Sequence, residues 1–427
     1  MKELIARITD KKKVRNFGKG IASLVKWLMI SVVLGTVIGV IASGFLYAVH
    51  FVTEYRLEHS YMVLFLPLGG VLIVFLYKIF KKSDDTGTSQ VLASIKEGHT
   101  IRLMLAPLIL VATIITHAFG GSVGREGAAL QFGGSIGNFL ARKLRLSDDS
   151  VKIITMAGMA GAFSALFGTP LGAAIFAIEV TMVGIMHYAA LVPCVFTAYF
   201  AHYIAQLLGA QSGQIPHPVK VVPKVYSMAS IKVILFGIIT AFVGIMFILV
   251  MHGVHHLYSK FLKNAYLRAF VGGVIVCLLA SIMHTQDYLG LGESMINAAF
   301  LGQVFIGAFL LKMIFTALTL EAGFKGGEIV PTLFIGATLG SALAPIMGLP
   351  YGLAAACGMI GLFVAVTNAP IASMVLALEM FGFSGLPFYA MIIAVSYLIS
   401  GYFSLYSTQQ ITFSKYQLGS HVKGEKD

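Results

Sequence analysis

The apolar run Ile21–Val52 leaves a chain like this few folds to adopt. At about thirty residues it is long enough for a tilted helix to cross a bilayer. Tyr61–Phe80 is a second such run, closed by Lys78, Lys81 and Lys82. Residues 1–20 are basic, with Lys2, Arg7, Lys11, Lys12, Lys13, Arg15 and Lys19 against Glu3 and Asp10. Basic residues stay on the cytoplasmic side, so the two runs are expected to go out and come back. Ile21–Val52 is too long for a signal peptide and lacks a small-residue cleavage pattern, so it reads as a retained first span. The whole chain is 58% hydrophobic and only 11% charged, with a mean hydropathy of +0.88. That composition implies an all-α polytopic membrane protein. The apolar runs are long and do not alternate, which excludes a β-barrel. The net charge of +12 sits in tails and short loops, so it is no footprint of nucleic acid. Cys194, Cys277 and Cys357 stand singly in apolar segments, which argues against disulfides and a metal site. No cofactor is expected.

Beyond residue 85 the pattern breaks up. Thr86–Glu97, Leu103–Phe119, Val151–Phe167 and Pro170–Gly184 are short pieces, and Gly168-Thr169-Pro170 divides the last two. Tyr188–Leu208 closes the first half. Pieces shorter than the ~20 residues of a full span survive at membrane depth only when packed in protein or lining a cavity. Such broken helices point to the ion site of a transporter. Residues 209–229, with Pro216, Pro218 and Pro223, read as a loop between halves. Ile231–Val254 and Leu267–Met283 then repeat the two long spans. Six short segments follow between Glu293 and Ile399, and Leu405–Gly419 comes last.

The halves resemble each other. Moved 200 residues on, Gly158, Met159, Gly161, Phe163, Ala165, Pro170, Ala177 and Glu179 fall on Gly358, Met359, Gly361, Phe363, Ala365, Pro370, Ala377 and Glu379. A shift of 202 lays Glu126, Phe132 and Gly134 on Glu328, Phe334 and Gly336. We therefore expect an inverted repeat, residues 21–208 and 230–419. Residues 1–20 and 420–427 would be cytoplasmic, leaving no room for a soluble regulatory domain.

Gly120–Gly137 carries the chemistry. Gly120, Gly121, Gly124 and Gly127 surround Arg125 and Glu126, and a helix-compatible run, Ala128–Leu140, follows. A glycine turn opening into a helix offers bare N–H groups and the positive helix end to an anion. Glu126 can compete for those groups. A carboxylate buried in an apolar chain can also take up a proton near neutral pH. Adjacent residues on a helix point in different directions, which weakens the alternative of an Arg125–Glu126 packing pair. Lys325 and Arg125 can concentrate anions or simply be solvated in loops. Glu179 and Glu379 occupy equivalent places in both halves and read as structural. His252, His255 and His256 have helical spacing but no accompanying carboxylate or thiol, so they read as an interfacial cluster rather than a metal site. His117 reads as a satisfied polar group.

Gly124-Arg125-Glu126-Gly127, with Gly133-Gly134-Ser135-Ile136-Gly137 behind it, resembles the gating-glutamate motif of the CLC family of anion channels and anion/proton exchangers. Gly326-Gly327-Glu328-Ile329-Val330-Pro331 resembles its second ion-site motif, and Tyr406 its anion-coordinating tyrosine. Asp85-Thr86-Gly87-Thr88-Ser89 stands where the family usually has Gly-Ser-Gly-Ile-Pro. The match in order and spacing runs from about residue 20 to 418. It implies a CLC-type inverted-repeat fold with tilted, short and re-entrant helices, and a homodimer with one pore per subunit. It also implies an anion held by the amides of Glu328 and Ile329 and the hydroxyls of Thr86 and Tyr406. Gly124, Arg125 and Gly127 would also bind the anion, and Glu126 would be the gate.

The departures narrow this. Chloride/proton exchangers of the family carry two successive acids where this chain has Glu179 and Val180, so the inner proton acceptor is missing, as in the channels and the fluoride/proton branch. Glu328 puts an acid in the second ion motif, as that branch does. Its other reading is a helix cap. Thr86 replaces the family's serine and departs from the fluoride members too, which have Met. The expectation is a proton-coupled antiporter exporting fluoride across a bacterial inner membrane, with Glu126 and Glu328 coupling protons. The alternatives are a chloride channel or chloride/proton exchanger of the same fold. An intramembrane enzyme would need a nucleophile–base pair or paired metal ligands, and none is found.

Overall fold

A computed structural model describes residues 11–80, 87–98, 100–210 and 218–416, with side chains from residue 18 onward. These residues form sixteen α-helices. The first, α1 (Lys11–Glu58), is 48 residues long, about 72 Å at 1.5 Å per residue. It begins well before the expected start at Ile21, because lysine and arginine are good helix formers and no proline interrupts them. The expected span Tyr61–Phe80 is two pieces: a 3-10 turn at Ser60–Phe65, then α2 (Leu66–Ile79) with a proline in its first turn. Pro67 has no N–H to donate, which costs nothing in a first turn whose N–H groups have no partner within the helix.

The short helices follow: α3 (Thr88–Glu97), α4 (Leu105–Ala118), α5 (Glu126–Lys143), α6 (Asp148–Phe167) and α7 (Pro170–Glu179). Then come α8 (Leu191–Leu207), α9 (Met228–Phe261), α10 (Ala265–Met283), α11 (Glu293–Phe300) and α12 (Ala308–Glu321). The last four are α13 (Ile329–Met347), α14 (Tyr351–Thr367), α15 (Pro370–Phe381) and α16 (Leu386–Ile399). Seven helical stretches are long and apolar enough to span a membrane. The only β-structure among the described residues is small: β1 (Met182–Val183) pairs in parallel with β2 (Gln410–Ile411), and one isolated bridge joins Gly124 to Gly327.

The repeat is visible in matching breaks. Helix α6 ends on Gly168, whose φ of 73° is left-handed, and α7 restarts on Pro170. Helix α14 ends on Asn368 (φ 56°), and α15 restarts on Pro370. The two restarted helices then cap each other. Glu179, at the end of α7, accepts hydrogen bonds from Ile371 N (3.1 Å) and Ala372 N (2.7 Å) at the start of α15. Glu379 of α15 accepts from Leu171 N (2.9 Å) and Gly172 N (2.7 Å) at the start of α7. Each carboxylate thus supplies acceptors to N–H groups that no helix can satisfy internally. The structural reading of both glutamates agrees with these contacts.

Candidate functional site: a seam between two glycine motifs

The two glycine motifs meet directly. Gly124 N donates to Gly327 O at 2.7 Å, and Gly327 N returns the bond to Gly124 O at 2.9 Å. This antiparallel bridge places the start of α5 against the start of α13. Glu126 is the first residue of α5 and is fully buried. Its Oε1 accepts from Val330 N, in the first turn of α13, at 2.7 Å. Its Oε2 has no hydrogen-bond partner. The gate candidate therefore caps a helix of the other half and occupies an amide that an anion would also seek.

Glycine keeps this seat clear. A Cβ on Gly124 would lie 2.1 Å from Glu126 Oε1, and one on Gly127 would lie 2.5 Å from Gly326 O. Glu328 holds the N-cap position of α13, but its side chain makes no cap hydrogen bond. The helix-cap reading of Glu328 is thereby corrected. Glu126 supplies the carboxylate contact to this helix start, while Glu328 is half-buried and within electrostatic range of Glu126. Ile329 follows as the first residue of α13 and is buried.

Tyr406 is buried, and charge on Glu328 and on Glu126 reaches its hydroxyl. Its neighbours fasten the same coil to α3. Thr408 Oγ1 donates to Ser89 O at 3.0 Å, and Ser407 Oγ to Ser89 Oγ at 3.4 Å. Thr88 and Ser89 open α3 after Gly87, which has a left-handed φ of 68°. Thr86 lies outside the described residues. Glu126, Glu328 and Tyr406 lie within electrostatic range of one another, although 280 residues separate the first from the last (126 to 406).

Arg125 turns away from Glu126. Its Nη2 lies 3.3 Å from Glu293 Oε1 of α11 and 3.5 Å from Leu166 O. Lys325 lies over the Tyr77 ring at 4.5 Å, so it is not merely a solvated loop residue. The expectation that no carboxylate accompanies the histidine cluster is also corrected: His255 Nδ1 lies 2.8 Å from Glu321 Oε2. Contact came from α12, 66 residues further on, which local spacing does not show. Among the described residues no group of three His, Cys, Asp or Glu side chains could hold a metal. His117 is satisfied at one nitrogen only, Nδ1 on Thr113 O at 2.8 Å, and its Nε2 has no partner.

Two buried cations, Lys312 and Arg56, lie outside both glycine motifs. Lys312 of α12 is fully buried; its Nζ donates to Gly290 O (2.7 Å) and Tyr288 O (3.2 Å) and sits 5.1 Å from the Phe334 ring. Its charge interacts with Glu126. Arg56, near the end of α1, is buried beside Gly120 and Gly290. The available signal was a single lysine inside the apolar segment Ile306–Leu320, since an ionisable residue at membrane depth is a functional candidate by default.

A membrane protein whose interrupted helices begin beside a buried carboxylate has the architecture of an ion transporter. Residues 69–401 match the family model described as voltage gated chloride channel, and the chain belongs to that family, the CLC transport proteins. It is 34% identical over 402 residues to a chloride/fluoride channel protein of Pseudomonas syringae pv. tomato, covering 92% of this chain and 88% of that one. It is 25% identical over 383 residues to an H(+)/Cl(-) exchange transporter, ClcA, of Vibrio campbellii, covering 83% and 81%. Among solved structures, a CLC-type fluoride/proton antiporter superposes with a TM-score of 0.86 at 33% identity, covering 91% of this chain and 98% of that one. The protein is thus a CLC-type transporter with the multi-pass inverted-repeat fold of its relatives.

Proposed function

We propose that this protein is a proton-coupled antiporter that exports fluoride. The observation that carries the reading is the Glu126 carboxylate seated on Val330 N. An anion arriving at the start of α13 must displace it, and a protonated carboxyl leaves more readily than a charged one. Anion entry and proton uptake thereby become alternatives at one amide. Glu328, within electrostatic range of Glu126, supplies a second protonatable group where Val180 removes the usual one. Thr86, Gly124, Arg125, Gly127, Ile329 and Tyr406 complete the anion path in this reading. The names of the Pseudomonas relative and of the superposed antiporter support fluoride as cargo.

A site built wholly within one chain fits one pore per subunit of a homodimer. The basic tail fits cytoplasmic termini in a bacterial inner membrane, and residues 21–208 and 230–419 are the proposed halves. The chloride channel or chloride/proton exchanger remains the second reading, favoured by the threonine at position 86 in place of a methionine. The test is liposome flux of fluoride and of chloride with proton movement followed in parallel, for wild type and Glu126→Gln. Wild type should move protons against fluoride, and Glu126→Gln should carry fluoride without them. Unchanged fluoride-driven proton pumping by the variant would remove Glu126 from the mechanism; chloride-only flux by wild type would favour the second reading.

A further inference from the structure

Gln409 lies in the coil after α16, and its side-chain amide uses its full bonding capacity. Nε2 donates to Val180 O at 2.9 Å and to Thr367 O at 2.8 Å. Oε1 accepts from Ser404 Oγ at 2.7 Å and from Asn368 Nδ2 at 3.2 Å. An amide offers two donors and two lone pairs, so nothing is left over. Val180 is the C-cap of α7 and Thr367 the last residue of α14. Carbonyls at helix C-termini lack partners within their own helix. One side chain therefore caps one helix from each half.

The same side chain holds the segment that carries Tyr406. Ser404 Oγ, which donates to Gln409, accepts from Tyr406 N at 3.1 Å. Gln409 N donates to Tyr406 O at 3.0 Å, and Leu405 N to Val366 O at 3.0 Å. Tyr406 is gripped at its N–H and at its C=O, both times by way of Gln409 or its direct partner. Asn368 extends the net outward: its Nδ2 also donates to Phe403 O (2.9 Å), and its Oδ1 accepts from Lys415 Nζ (2.5 Å). This hydrogen-bonded mount joins α7, α14 and the coil. It contains Val180, the position where the family's exchangers place an inner acid. An amide that meets two carbonyls cannot be replaced there by a carboxylate without repulsion.

We propose that Gln409 is a positioning residue for anion recognition: it fixes the coil so that the Tyr406 hydroxyl stays at one distance from the anion path, and so sets the preference for fluoride over the larger chloride. The proposal rests on the reading of Tyr406 as an anion contact. Its test is the fluoride-to-chloride flux ratio in liposomes for Gln409→Met, which is near-isosteric, and for Ser404→Ala, which removes the hydroxyl joining Gln409 Oε1 to Tyr406 N and leaves the Gln409 bonds to Val180 O and Thr367 O in place. Each is measured alone and combined with Tyr406→Phe. We expect each single variant to lower the ratio about fivefold, as for one lost or misplaced neutral hydrogen bond. In the Tyr406→Phe background neither should lower it further. An unchanged ratio in a folded Ser404→Ala or Gln409→Met protein overturns the proposal, as does a full second drop in the Tyr406→Phe background. If Tyr406→Phe alone leaves the ratio untouched, the anion-contact reading of Tyr406 falls and the proposal with it. Should Gln409→Met not fold, Ser404→Ala decides the matter.

Discussion

Gly124→Ala isolates the seat of Glu126 without touching the glutamate. The new Cβ would lie 2.1 Å from Oε1, 2.2 Å from Oε2 and 2.4 Å from Cδ of Glu126. These closest atoms all belong to the far end of one side chain, so the carboxylate is what yields. It must retreat by about 1 Å before the contact becomes tolerable. Its bond to Val330 N is 2.7 Å long, so a shift of that size takes it outside hydrogen-bond range. A bond to a charged group is worth about 1.5–3 kcal/mol, which corresponds to a roughly 10- to 100-fold fall in occupancy of the seat. Fluoride flux at neutral pH should rise and the proton-to-fluoride ratio should fall, measured together in liposomes. Gly327→Ala is the control: its Cβ would meet Gly127 N at 2.4 Å, and backbone cannot move aside. That variant should lose folded protein rather than coupling. A folded Gly124→Ala protein with wild-type coupling and wild-type pH dependence would refute the reasoning.

Other consequences are as direct. Glu328→Gln should slow fluoride/proton exchange at least tenfold if its carboxyl carries protons; a wild-type rate in the same liposome assay would leave it a spectator. Glu179→Gln keeps one acceptor but turns its NH2 towards an N–H donor, and should cost about 1.5–3 kcal/mol in detergent unfolding with no change in anion selectivity. Glu379→Gln should match it, because the two caps are equivalent. Thr86→Ser should shift the fluoride/chloride flux ratio towards chloride, and an unaltered ratio would show that this position does not discriminate.

Long apolar spans, the glycine motifs and the repeat were legible in the sequence because each is local or recurs at a constant shift. The proline restarts at Pro170 and Pro370 were legible for the same reason. What escaped was cross-half contact. Glu126 and Val330 are 204 residues apart, and Glu179 and Ala372 are 193 apart. Nothing in the spacing around Glu328 shows that its helix is capped by another residue. Gln409 sits in a polar coil without periodicity, and its role exists only once α7 and α14 end beside it. Helix α1 extends back past Ile21 because charge marks the end of an apolar run and not the end of a helix, and no proline breaks the basic residues before it.

The mutual capping of α7 and α15 also bears on where an anion can stop. Every helix that begins inside this protein is a potential trap for negative charge. At α7 and α15 that trap is filled from within by Glu379 and Glu179. The start of α13, by contrast, is covered by a carboxylate on the opposing motif. If Glu126 is the gate, an anion finds the starts of α7 and α15 closed and the start of α13 closed only while Glu126 stays seated. The proposed route would then be drawn as much by the glutamates that stay as by the one that leaves.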